Sequence, residues 1–597
     1  MRVLLITYIL FILSHVFAMD PAMAEETRKV EIRSVVFEGN QSFSAKRLQR
    51  LMLSRPSGFM RSSMFYPEIF ADDLDNITAF YQQNGYLDVR ITDTTVSIDS
   101  VDFKADLHIG LAEGELTRVE GISIFNNLVF PDSVLLRQLD LKKGDPFKRN
   151  RIQSGMLSIL SLYADSGYLE AAINPEIKIS PESHLAMIDL TVNERQQFSI
   201  GQIRIEGLKR TQNKVVKREL LFKPGDLVRY SRLLESQRRL YMTGLFESVF
   251  IRPVASADGD SLRKEILVEL KENLSSEFNI SVGFSSIEKV RGRIELFTTN
   301  LAGTARQLGT SLSASFIRRA IEISFTEPRT LGSRWRTDVN LIYEYLEEPG
   351  YDLSRIGSRF TIGRALFKNS TASVTYRFEN ASLKNIEVSD ALEDFDPRIR
   401  SLILTLVYDT RDNLFDPRSG FYLELSNEVA GTFLQGTNTF ARSILRFKRF
   451  IPLGVGTVFG TSLEIGWMDY FGKSDEIPLS ERFYAGGPNT LRAFDYQKVG
   501  PLDEDGDPIG GKFKLICNLA ELRLPVYKMI GIAGFVDVGN VWPAIRDFRL
   551  ADFRVTVGMG LRVNSPLGIL RLDFGLNPDR RGDESRANIY FSMGQSF

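Results

Sequence analysis

Cysteine is almost absent. Cys517 is the one cysteine in 597 residues, so no disulfide can form within the chain. Histidine is nearly as scarce: His15, His108 and His184 are too few to build a His-rich metal site or a His-based triad. Beyond the first 24 residues there is no run of about 18 apolar residues, which excludes membrane-spanning helices. No G-x-S-x-G elbow and no Walker-type glycine loop occurs. Charge of one sign is lacking too, with 74 Lys+Arg against 75 Asp+Glu. No strongly basic domain announces a nucleic-acid partner. These gaps point away from an enzyme, and no catalytic, cofactor or metal residues are expected.

The N-terminus reads as an export signal over residues 1–24. Arg2 precedes an apolar run from Val3 to Leu13, and Ala22-Met23-Ala24 fits a cleavage site, with Ala18 a second candidate. Internal repeats follow. "FYQQNGYLDVRI" around Gly85 returns as "LYADSGYLEAAI" around Gly167 and as "LYMTGLFESVFI" around Gly244. Each copy opens on a strand-like stretch, "VEIRSVVFEGN", "TRVEGISIFNN" and "FSIGQIRIEGL". The order within a copy is strand, helix, turn, helix, Gly-aromatic turn, strand, strand. Three α+β modules are expected, over 28–114, 115–196 and 197–274. They serve either as spacers or, through their sheet edges, as receptors for extended segments.

After Leu274 the hydrophobic period becomes two. In "SEFNISVGFSS", Phe278, Ile280, Val282 and Phe284 alternate with Asn279, Ser281, Gly283 and Ser285. "FYLELSNE", "RVTVGMGLRV" and "LRLDFG" alternate in the same way. A soluble sandwich would set its apolar face against a second apolar face. Here the other face keeps charges and glycines in strand after strand, which fits lipid outside and a polar lumen inside. Residues 275–597 are therefore expected to form a transmembrane barrel. At roughly 20 residues per strand with its connections, the length allows about 16 antiparallel strands.

Two features give the chain its family likeness. "IYFSMGQSF" ends it on an alternating strand with a terminal aromatic, and "ERFYAGGPNTLRAFDY" places one arginine, Arg492, in a glycine-rich loop. Signal, repeats, barrel and arginine loop in this order resemble the BamA/TamA superfamily of outer-membrane assembly proteins. "YDTRDNLFDPRSGF", "GFVDVGNVW" and "GLRVNSPLGILRLDFG" are similar to barrel segments of that family. The module count resembles the three-module TamA type. Two-partner secretion transporters, with two modules and a plug helix, remain an alternative, and a passive pore is another. The loop departs from the family at Ala493, where glycine is usual.

The resemblance implies periplasmic modules that receive unfolded outer-membrane or autotransporter clients. It also implies a TamB-like partner anchored in the inner membrane, or accessory lipoproteins. The first strand (Phe278, Ile280, Val282, Gly283) and the last (Ile589, Phe591, Met593, Gly594, Phe597) would meet at a lateral seam that adds client strands without nucleotide. Turned outward, Arg492 is merely solvated. Turned inward, as the family's arginine latches, it needs an acid. Asp537 and Glu521 are the candidates, with Gly486 and Gly487 shaping the loop and Phe494 packing beside it. By strict alternation Glu521 shares a face with Cys517 and Arg523.

Overall fold

The computed structural model describes residues 30–56, 63–256, 259–388, 396–565, 568–582 and 584–593. The expected signal over 1–24, and the seam positions Gly594 and Phe597, lie outside the described residues. Among the described residues no helix is long and apolar enough to cross a membrane.

The first module runs β1 (Glu31–Glu38), α1 (Ala45–Gln49), α2 (Pro67–Gln83), β2 (Arg90–Asp99) and β3 (Lys104–Ala112). Pro67 opens α2, where a missing N–H costs nothing. Phe70, Ile77 and Tyr81 form its buried stripe against Ile32, Leu107 and Ile109 of the sheet. The sheet order is β1-β3-β2, with β1 parallel and β2 antiparallel to β3. The second module repeats this with β4 (Arg118–Phe125), α3 (Asp132–Leu139), α4 (Arg149–Asp165), β5 (Ala172–Ser180) and β6 (Leu185–Asn193). The third does so with β7 (Ser199–Glu206), α5 (Asn213–Lys217), α6 (Tyr230–Met242), β8 (Phe246–Ala255) and β9 (Arg263–Glu272).

The repeat is chemical as well as topological. Gly85, Gly167 and Gly244 follow the long helices at φ of 100°, 91° and 72°, a region closed to most side chains. In each module a glutamate at or just after the last strand accepts a backbone N–H from the connection that follows the first strand. The pairs are Glu113 with Ser42 (2.9 Å), Glu194 with Val129 (2.8 Å) and Glu272 with Thr211 (2.7 Å).

Sixteen antiparallel strands, β10 (Ser276–Ser285) to β25 (Ala587–Met593), pair each with the next in chain order. Side chains alternate as a barrel in lipid requires: Phe278, Ile280, Val282 and Phe284 are all exposed on the outer wall. Residues 208–221 of the third module sit against turns at one rim. Gln212 N–H donates to the Gly303 carbonyl (2.9 Å), and Arg329 grips buried Glu219 through Nε and NH2 (3.0 and 2.7 Å). That rim therefore belongs to the module side of the barrel.

Candidate functional site: a doubly anchored loop beside the barrel seam

The connection between β20 (Thr457–Tyr470) and β21 (Phe513–Tyr527) turns into the lumen. Gly486 and Gly487 make the reversal, at φ of 104° and 101°. A Cβ on Gly486 would lie 2.3 Å from the Asp495 carbonyl oxygen, so only glycine fits there. Past the turn, Arg492 is driven into the wall of β21, β22 (Ile530–Trp542), β23 (Arg554–Ser565) and β24 (Gly568–Leu576), and is 1% exposed.

Arg492 meets Asp537 as a fork, Nε to Oδ2 at 2.9 Å and NH2 to Oδ1 at 2.8 Å. Its NH1 donates to Glu521 at 2.7 Å, and Asp573 lies 3.5 Å away. The guanidinium lies 3.3 Å over the centre of the Phe535 ring. Burial works against the charge, but Asp537, Glu521 and Asp573 outweigh it and raise the arginine above its ordinary pKa. Arg523 and Arg562 share the same carboxylates, and Asn518 donates to Asp537 at 2.6 Å. Phe494 is buried beside the cluster, with the Arg554 guanidinium 4.9 Å from its ring centre. Ala493 avoids positive φ and is fully buried. Its N–H donates to Thr556 Oγ1 (3.2 Å), so this backbone needs no glycine.

One expectation from alternation fails. Pairing shifts between Asn518 and Ala520, leaving Leu519 as a bulge exposed outside. Before the bulge Asn518 faces inward; after it Glu521 and Arg523 do. Cys517 pairs with Val538 and is not on the Glu521 face.

The same loop has a second anchor, at its start. Glu481 accepts from Arg377 of β16 (Ser370–Lys384) at 2.5 Å and from Arg442 of β19 (Phe440–Gly454) at 3.1 Å. Both arginines also hold Glu428 of β18 (Gly420–Ala430). Burial would raise the Glu481 pKa, but Arg377 and Arg442 hold it down to about 2. The loop is thus tied to β16–β19 at one end and to β21–β24 at the other.

From there it reaches the last strand. Tyr590 donates to the Phe494 carbonyl (2.7 Å), Asn588 to that of Ala493 (3.0 Å). Arg571 bonds the Pro488 carbonyl, Asn489 and Ser592 (3.1, 3.0 and 2.8 Å). The described part of this strand meets β10 near Ser286. Among the described residues no ladder connects them: the hydrogen bonds run only between Ser286 and Phe591, including N–H to carbonyl at 3.0 Å. The Phe284 and Phe591 rings touch at 5.7 Å. Phe278, Ile280 and Val282 lie lower on β10, away from these bonds. A cavity of about 370 Å³ opens at the gap, lined by Gly283, Ser285, Pro488, Tyr496, Ser592 and Met593 among others. Ile589 and Met593 face out, exposed.

Comparison with known proteins settles the family. The Omp85 superfamily domain matches residues 300–597, and the surface antigen variable number repeat matches 30–114, 117–195 and 198–273. The chain belongs to the Omp85 superfamily. Among curated relatives, "Outer membrane protein assembly factor BamA" of Nitratidesulfovibrio vulgaris is 26% identical over 96% of this chain and 74% of its own. The protein of the same name from Neorickettsia risticii is 27% identical over 92% and 76%. The crystal structure of BamA from Haemophilus ducreyi lacking POTRA domains 1–3 superposes with a TM-score of 0.70 at 20% identity, over 80% of this chain and 99% of that one. This Omp85 barrel therefore lies in the outer membrane with its modules in the periplasm.

Several residues of the Omp85 lumen escaped the sequence reading. Glu481 opens the quoted loop stretch, yet nothing in one sequence marks it apart from other loop acids. Asp573 sits in "LRLDFG" on the polar face, and its parity was the available signal. Arg377 and Arg442 lie on alternating strands among many charged neighbours, and only the folded lumen brings them to Glu481.

Proposed function

We propose that this Omp85-superfamily chain is an outer-membrane protein assembly factor that inserts or translocates β-rich clients by strand addition at the β10–β25 seam. One observation carries the reading: among the described residues the two edge strands of one barrel share hydrogen bonds at a single place, Ser286–Phe591. An unpaired edge templates an incoming strand. Part of the seam is braced from within by the loop, through Tyr590, Asn588 and Arg571. The names of the BamA relatives support the same class of activity.

Clients would arrive along the modules, where β2 is an exposed edge strand. Burial of the client in lipid supplies the driving force, without nucleotide. Accessory lipoproteins or an inner-membrane-anchored TamB-like protein fit as partners upstream. The test is folding of a purified client barrel into liposomes with and without this protein. Faster client folding supports assembly. Solute leakage without faster folding would mean a passive pore, and transfer of a soluble passenger without barrel insertion a two-partner channel.

A further inference from the structure

Over part of the outer wall the apolar pattern gives way to polar groups. On β17 (Arg398–Asp409) the outward side chains Leu402, Leu404, Leu406 and Tyr408 are exposed, as lipid contact requires. Toward the rim away from the modules the same outward row continues as Arg400 and Arg398. On β16, Val374 and Phe378 give way to Asn380 and Ser382. On β15 (Tyr351–Phe367), Ile356 gives way to Ser354. Together with Tyr343 of β14 (Arg336–Glu348), these groups line a cleft of about 400 Å³.

Its two arginines are arranged unlike those of the lumen. Arg400 lies flat over Phe378, 3.4 Å from the ring centre. NH1 donates to the carbonyls of Glu379 (2.7 Å) and Ile399 (2.9 Å), and NH2 to Asn380 Oδ1 (2.8 Å). Every one of these acceptors is neutral, so these bonds position the charge without compensating it. Three of the five guanidinium N–H groups are engaged, which leaves two for a ligand. Arg398 stands beside it, opposite Asn380 and exposed. Neither arginine has a carboxylate within ion-pair distance among the described residues, whereas Arg377, Arg442 and Arg492 in the lumen each have two or more. Arg355 also lines the cleft but is held inward by Glu344 (2.6 Å). Asp396 is the carboxylate on its margin, and Asp352 nearby is occupied by Tyr345 and Asn385.

The level of the cleft says what covers it. The modules lie in the periplasm, so the opposite rim stands at the outer leaflet. An arginine pair with no carboxylate partner among the described residues, directly above an apolar band, sits at headgroup depth, where an anionic group is complementary and arginine binds phosphate in a directed way. We propose that this cleft binds a phosphate of an outer-leaflet glycolipid headgroup, with Arg398 and Arg400 as its donors and the acyl chains running down the Leu402–Leu406 face.

Native mass spectrometry of the full chain in detergent tests this, with diphosphoryl lipid A, dephosphorylated lipid A and inorganic phosphate as separate probes. Diphosphoryl lipid A should bind at least about ten-fold more tightly than the dephosphorylated form. Arg398→Gln should remove about ten-fold of that affinity and Arg398→Gln/Arg400→Gln the whole difference, while Arg398→Lys retains part. Arg398 is exposed, so its single variant reports even if the change at Arg400 disturbs folding. Unchanged binding by Arg398→Gln would overturn the proposal. Equal binding of dephosphorylated lipid would leave only apolar contact, and displacement by equimolar inorganic phosphate would mean a free-anion site; either result overturns the lipid assignment.

Discussion

Arg492 is stable in the wall only because Asp537, Glu521 and Asp573 surround it, so the pair is measured by what remains when one partner goes. Removing one member of a buried pair leaves an uncompensated charge and costs about 3–5 kcal/mol. Arg492→Ala and Asp537→Ala should each lose that much in urea unfolding of the barrel in detergent. Arg418→Ala, at an exposed arginine 3.6 Å from Asp416, should lose about 0.5 kcal/mol or less. The double variant should be little worse than either single one, because one interaction is lost once. Strictly additive losses would show that the fork contributes no coupling. The second anchor behaves differently with pH. The Glu481 carboxylate is held to about 2, below its ordinary value, so its contribution is complete above about pH 4.5 and is lost as the pH falls through about 2. Glu481→Gln should cost about 1–3 kcal/mol at neutral pH and nothing extra at the acid end. A variant equally destabilised at both ends of that range would refute the charge as the cause.

At the scale of elements, alternation told which side of a strand faces lipid, and the repeats told where modules begin again. Both signals are local, and the sixteen-stranded barrel and the three β-α-α-β-β modules follow from them. Neighbours across the lumen were not legible, because alternation assigns faces and not distances. The bulge at Leu519 shows the limit within one strand: a single extra residue exchanged the faces, separated Cys517 from Glu521 and brought Asn518 to Asp537. The seam register was hidden for the same reason. The bond between Ser286 and Phe591 places Ser285 beside Ser592, and the two serines line one cavity. In a Cys517→Ser background, Ser285→Cys with Ser592→Cys should form a disulfide, seen as a mobility change on non-reducing gels. The locked protein should lose client insertion and regain it with reductant. Full activity while locked would remove the seam from the mechanism and favour a route through the lumen.

For the molecule as a whole, the question is how the modules hand a client to the barrel. The third module's residues 208–221 hold the barrel rim by backbone bonds, by neutral side-chain bonds such as Asn300 to Thr211 (2.8 Å), and by one charged fork. Backbone bonds such as Gln212 to Gly303 are indifferent to sequence, whereas Arg329–Glu219 is a charged fork whose carboxylate is 3% exposed. If that fork fixes the segment at the rim, Glu219→Arg places like charges together and should free it. Hydrogen exchange of residues 208–221 should then rise by about ten-fold or more, with slower client insertion. Arg329→Glu alone should do the same. The exchanged pair, Glu219→Arg with Arg329→Glu, should recover most of the protection. Recovery stays incomplete because Arg218, 3.5 Å from Glu219, would then face a second cation. Unchanged exchange in both single variants would leave the neutral bonds, Gln212 to Gly303 and Ala302 and Asn300 to Thr211 among them, as the attachment. Raised exchange with undiminished insertion would show that the client's path does not depend on how this segment is held.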